Sequence, residues 1–227
     1  MSASLARVER PAQHATLART ATADRNDVGE MLMVPNIADF GLDERYLGVA
    51  KIYPRQLLIL KLNTGQVDLL TDYDHGVLDM WMAGFSVSDD GTRFEGGYGT
   101  TPDLLERIAT IKASGRSHPR EAVMVMGRRA GKNWMGSILV TYHVWELLGT
   151  GDPQSHFGID PNMTLTLSVF AGQHQQALSG QFQNIADLIR SRPCFAPFLA
   201  EEKSGVVRLY TPAQLARGAR ALRVRVQ

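Results

Sequence analysis

Residues 122–148 constrain the fold more than any other stretch. An unbroken apolar run, Ala122-Val123-Met124-Val125-Met126, leads through Gly127-Arg128-Arg129-Ala130-Gly131-Lys132-Asn133 into a second apolar segment, Trp134 to Leu148. The run predicts a strand covered on both faces, as in a parallel sheet flanked by helices. In the segment that follows, Trp134, Ile138, Leu139, Val144, Trp145 and Leu148 surround a helix almost completely, which predicts that it lies buried under that sheet.

A glycine-containing turn between a buried strand and a helix is the setting a phosphate-binding loop requires. Gly127 and Gly131 let the backbone turn tightly, so that successive N–H groups point into one concavity. The helix N-terminus adds partial positive charge, and Lys132 adds a full one for β- and γ-phosphates. The string departs from G-x-x-x-x-G-K-[ST] at two places. Met126 stands for the first glycine, and Asn133 stands for the hydroxyl residue that binds Mg²⁺. The Asn133 amide oxygen is a ligand type a hard cation accepts, on a longer side chain than serine. The plain alternative is a strand-to-helix turn that merely contains glycine.

Periodicity and punctuation organise the remainder. Residues 1–35 are rich in Ala, Arg, Thr and Asp and predict a mobile arm. Residues 36–117 read as a helical and loop-rich segment, and 118–227 as a partial α/β core. Pro54 suits the first turn of a helix carrying Gln56, Leu57, Leu60 and Lys61. Thr71-x-x-Asp74 predicts a second helix start with Val77, Leu78 and Trp81 on one face, and Asp89-Asp90-Gly91 a turn. Gly96-Gly97-Tyr98-Gly99 reads as a loop. Leu104, Leu105, Ile108 and Ile111 then repeat at helical spacing up to Gly115. Thr164 to Phe170 alternates as a strand, and Ala177, Leu178, Phe182, Ile185, Leu188 and Ile189 form one helical stripe. Val206–Tyr210 and Leu222–Val226 predict two more strands, with a helix start at Thr211-Pro212 between them.

Composition excludes several classes. In 227 residues, 44% are hydrophobic and 21% charged, the balance of a globular chain rather than a disordered or fibrous one. The single cysteine, Cys194, allows neither an internal disulfide nor a thiolate metal cage, and reads as a small apolar residue in a reducing compartment. No apolar stretch is long enough to span a bilayer and residues 1–30 lack the core of a signal peptide, so the expectation is a protein neither spanning nor secreted. Asn162-Met163-Thr164 is then a chance glycosylation match. The net charge of +1 hides an asymmetry: from residue 114 onward there are 13 Lys and Arg against 7 Asp and Glu. That basic half suits a polyanionic partner, while Arg217, Arg220, Arg223 and Arg225 fit a solvated face equally well.

The string GRRAGK after an apolar run resembles the phosphate-binding loop of the large subunit of tailed-phage terminases, the ATP-driven motors that package DNA into capsids. Other pieces resemble that family in the same order. Ile52-Tyr53-Pro54-Arg55-Gln56 is similar to its upstream aromatic-plus-glutamine adenine motif. Leu148–Asp160, Ser168-Val169-Phe170-Ala171 and Gln175-Gln176-Ala177 are similar to the stretch beyond the loop. The resemblance covers residues 47–227 in short pieces around one specific loop. It implies an α/β fold of the P-loop NTPase type, a three-layer sandwich with a mostly parallel sheet, incomplete at its C-terminal end. It also implies ATP and Mg²⁺ as cofactors. Lys132 would hold the phosphates, with Gly127, Arg128, Arg129, Ala130, Gly131 and Asn133 lining them. Arg128 would serve as an arginine finger, Tyr53 would stack on adenine, and the Gln56 amide would read the base edge. The implied partners are double-stranded DNA, a portal, a small terminase subunit and further copies in a ring, in the host cytoplasm and away from membranes.

The catalytic half of that pattern is missing. It needs an apolar strand ending in Asp-Glu, the aspartate for Mg²⁺ and the glutamate to polarise water. Glu201-Glu202 comes too early, in what reads as a loop, and the last candidate strand carries no carboxylate. The resemblance also implies a C-terminal nuclease domain, for which the expectation is that these 227 residues leave no room. Hydrolysis would need that strand from another piece. The alternative is a non-hydrolysing DNA- or partner-binding module derived from such a motor. The cluster of Asp72, Asp74, Asp79 and His75 reads as an N-terminal helical turn with solvated acids rather than a metal site. His143 reads as a core histidine, and His156 and His174 have no partners at metal-ligand spacing.

Overall fold

The computed structural model describes residues 33–82, 85–87, 93–95, 103–114, 121, 123–124, 130–203 and 205–226. The expected arm over residues 1–32, the turn at 89–91, the glycine stretch at 96–99 and the Gly115 stop lie outside them, as do Ala122 and residues 125–129.

The first half is helical, with local sequence marking each start. Asn36 caps α1 (Ile37–Leu42) by accepting the Asp39 N–H at 2.9 Å. Pro54 opens α2 (Pro54–Asn63), and a 3-10 turn follows at Val67–Leu69. Thr71 precedes α3 (Asp72–Met82), where its backbone N–H and hydroxyl both donate to Asp74 at 2.8 Å. Residues 85–87 and 93–95 depart from the helix-and-loop expectation. β1 (Phe85–Val87) pairs antiparallel with β2 (Arg93–Glu95), a hairpin whose three-residue strands are too short to show a period. α4 (Asp103–Ser114) and α5 (Lys132–Gly149) fall where the periodicity puts them.

The second half alternates helix and strand. α6 (Pro153–His156) is one turn capped by Asp152, which accepts the Ser155 N–H at 3.2 Å. β3 (Thr166–Val169) leads into α7 (His174–Ala177), which runs through a π-helical turn at Leu178–Phe182 into α8 (Gln183–Ser191). A 3-10 turn at Pro193–Phe195 precedes β4 (Leu199–Lys203), which contains the two glutamates expected in a loop. β5 (Val206–Leu209), α9 (Pro212–Ala216) and β6 (Leu222–Val226) end the described chain. Thr211 and Gln214 cap α9 reciprocally, the Thr211 N–H donating to Gln214 Oε1 at 2.8 Å and the Gln214 N–H to Thr211 Oγ1 at 3.1 Å.

The architecture is mixed α/β, and the sheet corrects the expectation of a mostly parallel one. Its order is β3-β6-β5-β4, with β3 and β6 parallel and the other two pairs antiparallel. The two-residue link between β4 and β5, with Gly205 at φ 76°, makes that pair a hairpin, which only antiparallel strands can share. The apolar run at 122–126 was expected as a buried strand. Val123 and Met124 belong to no strand and are exposed, Val123 by 77%. Apolar character alone does not make a strand, and among the described residues this sheet is built from residues 166–226 only.

One apolar core joins α1 and α2 (Ile37, Phe40, Leu60), α5 (Met135, Ile138, Tyr142, Trp145, Leu148), α8 (Ile185, Ile189), Phe195 and the inner sheet face (Val207, Leu209, Leu222, Val224). Phe40, Tyr46 and Phe195 surround Trp145 with ring centroids 5.3–6.3 Å apart. α5 is as buried as expected, but its principal partner is α8, and it is the π-helical turn that reaches β6. A smaller core of Leu58, Leu62, Val67, Val77, Leu78 and Ile108 lies on the other side of α2.

Candidate functional site

The site expected on the sequence centres on the start of α5, of which Ala130, Gly131, Lys132 and Asn133 are described; Gly127, Arg128 and Arg129 lie outside the described residues. Gly131 is the residue before the helix and adopts the left-handed conformation, φ 76° and ψ 21°. Its carbonyl accepts the first helical hydrogen bond, from the Met135 N–H at 2.9 Å. The N–H groups of Lys132, Asn133 and Trp134 therefore precede the first intrahelical bond, and the first turn holds no acidic residue. Such an end carries partial positive charge toward the turn before it.

Lys132 is the first helical residue and its side chain is exposed, with no hydrogen bond or ion pair among the described residues. Asn133 is also exposed, and its carbonyl accepts from Ser137 Oγ at 2.7 Å.

Gln56 joins the two halves of the expected site. Its Oε1 accepts the Tyr53 N–H at 3.2 Å, closing the first turn of α2, and its Nε2 donates to the Ala130 carbonyl at 3.2 Å. The fit is tight: a Cβ at position 131 would lie 2.7 Å from Gln56 Nε2. Glycine is required there on two counts, the positive φ and the approaching amide. Tyr53 is 48% exposed, so it is not a core aromatic, and Lys51 Nζ sits 4.7 Å from its ring centroid.

Two contacts, one against α5 and one at Tyr53, were not legible in the sequence. Gln181, in the π-helical turn, lies against Gly136, where a Cβ would come within 2.5 Å of its Nε2, and its carbonyl accepts from Ser137 Oγ at 3.4 Å. A glycine inside an otherwise apolar helix is the sequence signal for such a close approach. Lys51 over Tyr53 has no comparable signal.

The other candidates resolve differently from expectation. Asp74 is buried rather than solvated, and pairs with the buried Lys61 at 2.6 Å. Burial alone would raise its pKa, but the Lys61 ammonium and the Thr71 donors outweigh it and hold the carboxyl below its ordinary value. Asp72, His75 and Asp79 are exposed. Among the described residues no group of three or more His, Cys, Asp or Glu is placed to hold a metal ion. His143 is half-exposed rather than in the core, 2.8 Å from Glu146. Glu201 is ion-paired to both Lys203 and Arg208. Among the described residues no helix is long and apolar enough to cross a membrane.

No family model, curated protein or solved structure matches this chain.

Proposed function

We propose that the turn before α5 binds the phosphates of a nucleoside triphosphate, ATP, and that the chain is the ATP-binding part of a terminase-like DNA-packaging motor. The observation that carries this reading is the Gln56 amide bridging Tyr53 and Ala130, which sets the adenine-motif-like segment against the end of the loop 74 residues later. Lys132 would meet the β- and γ-phosphates beside the amides of the first turn, with Gly127 to Gly131 lining them and Arg128 neutralising charge on the γ-phosphoryl group. Tyr53 would offer its exposed ring to the base.

Among the described residues, those at the start of α5 do not fit a resident Mg²⁺. Such a site uses one or two carboxylates together with substrate phosphates, and Asn133 offers only an amide oxygen. Any cation would arrive with the nucleotide. Glu201 is engaged by two cations and β6 carries no carboxylate, which supports binding without turnover by this chain alone. The same observation favours, as a second reading, a non-hydrolysing module whose partners are double-stranded DNA, a portal or a small terminase subunit. Titration of a fluorescent ATP analogue into the full chain and into Lys132→Ala tests the assignment. Binding that weakens at least tenfold in the variant is expected, and equal affinity in both removes it.

A further inference from the structure

Alternation along β5 and β6 gives the sheet two unlike faces. Val207, Leu209, Leu222 and Val224 are buried in the core, so Arg208, Arg223 and Arg225 belong to the opposite, outer face. The register arranges that face in two rows. In the first, Thr166, Arg223, Arg208 and Glu201 stand side by side across β3, β6, β5 and β4. In the second, two residues along, the sequence is Ser168, Arg225, Val206 and Lys203. Four cations and one carboxylate leave a net charge of +3 among these side chains.

That charge is only partly answered from within. Glu201 takes both Arg208 and Lys203, and Arg223 has no carboxylate partner among the described residues. The Nε atoms of Arg208 and Arg223 are buried without a hydrogen-bond acceptor. Two like charges directly opposite across an antiparallel pair destabilise it, and a polyanion laid on this face offsets that cost. Phe170 adds an aromatic at its margin. It is 69% exposed, immediately after β3, at the next position in the alternation of Thr166 and Ser168.

We propose that this outer face binds a single strand of nucleic acid, its phosphates following Arg223, Arg225, Arg208 and Lys203 and one base stacking on Phe170. Basic tracks interleaved with exposed aromatics bind single strands without sequence preference, because every base has a π face. The dimensions disfavour insertion into a duplex. Four strands about 4.8 Å apart span about 14 Å, more than the major groove width of about 12 Å, whereas a flexible strand lies across them freely. The surface uses none of residues 53–56 or 127–133, so it stands or falls independently of the nucleotide reading.

Fluorescence anisotropy of the full chain with labelled oligothymidylate of about 20 nucleotides, and with a duplex of equal length, over a range of salt concentrations tests the proposal. The single strand is expected to bind the more tightly. Arg223→Ala lowers the log–log salt slope by about 0.7. Phe170→Ala weakens binding about tenfold with the slope unchanged, and Lys132→Ala has no effect. Thermal unfolding of the variants checks that the sheet persists. No binding at low salt, tighter binding of the duplex, or indifference to both Arg223→Ala and Phe170→Ala overturns it.

Discussion

Gln56 donates from Nε2 to the Ala130 carbonyl at 3.2 Å across 74 residues of sequence, and the glycine that follows Ala130 leaves no room for a Cβ beside that amide. Gln56→Ala should cost about 1–2 kcal/mol in urea unfolding, for one helix-capping bond and one long-range bond lost. Gly131→Ala should cost a similar amount or more, since alanine pays about 1–2 kcal/mol for the left-handed backbone before any contact with Gln56. In the double variant the steric part disappears while the backbone strain stays. The two effects should therefore sum to more than the cost of the double variant, and strict additivity would mean that the two residues do not press on one another.

The buried Lys61 and Asp74 pair predicts a steep asymmetry between single and double substitutions. Asp74→Ala should destabilise by about 3–5 kcal/mol, because it leaves an ammonium buried without its partner, whereas Lys61→Met with Asp74→Leu should be close to neutral. The pH dependence follows from the lowered pKa of Asp74. The unfolded chain takes up the proton first as pH falls. The stabilisation is therefore complete above the ordinary carboxylate value near 3.8 and is lost as pH falls through the lower folded value. Acid unfolding of Lys61→Met/Asp74→Leu should lack that component, and equal acid midpoints in both proteins would refute it.

Local signals account for most elements that were legible in the sequence. Pro54, Thr71 with Asp74, and Thr211-Pro212 with Gln214 start α2, α3 and α9 because each satisfies its first-turn donors within four residues. β3, β5 and β6 were legible from alternation, which survives at one buried and one solvated face. What was not legible depends on distant partners. Val123 and Met124 have the composition of a buried strand and no strand beside them. Asp74 has the composition of a solvated acid and meets Lys61 13 residues away. The antiparallel half of the sheet was not legible because β4, Leu-Ala-Glu-Glu-Lys, carries three charges in five residues and shows no apolar run to pair with Val206–Leu209. For the candidate site, the sequence supplied Gln56 and Gly131 separately, while their contact required the fold.

Tyr142 ties the described N-terminal segment to α5 through a chain of bonds. Its hydroxyl donates to the Pro35 carbonyl at 2.9 Å and accepts from Gln66 Nε2 at 2.8 Å, and Gln66 Oε1 accepts the Ile37 N–H at 2.9 Å. Burial raises the phenol pKa, keeping it a donor across the accessible range. Tyr142→Phe preserves the ring packing against Phe40 at 5.2 Å and removes both bonds. A loss of about 1–3 kcal/mol is expected from the groups left unpaired. Limited proteolysis should show faster cleavage around residues 33–37 than elsewhere, and unchanged cleavage there would separate Tyr142 from the anchoring of that segment.

Cys194 should be nearly inert while the protein is folded. Burial pushes its thiol up to about 11, and the half-buried side chain packs against the main core with Sγ 3.9 Å from the Tyr46 carbonyl. At pH 8 the folded chain holds about 100-fold less thiolate than the unfolded chain, and thiolate is the species that reacts. Alkylation by iodoacetamide should therefore be slower by about that factor in buffer than in urea. Because the pKa is raised on folding, the thiol's stabilising contribution is complete below its ordinary value of 9.0 and is lost as pH rises toward 11. Cys194→Ala should show a shallower loss of stability over that alkaline interval than the parent. Labelling at similar rates in buffer and urea would mean that folding does not suppress the thiolate, and would remove both expectations.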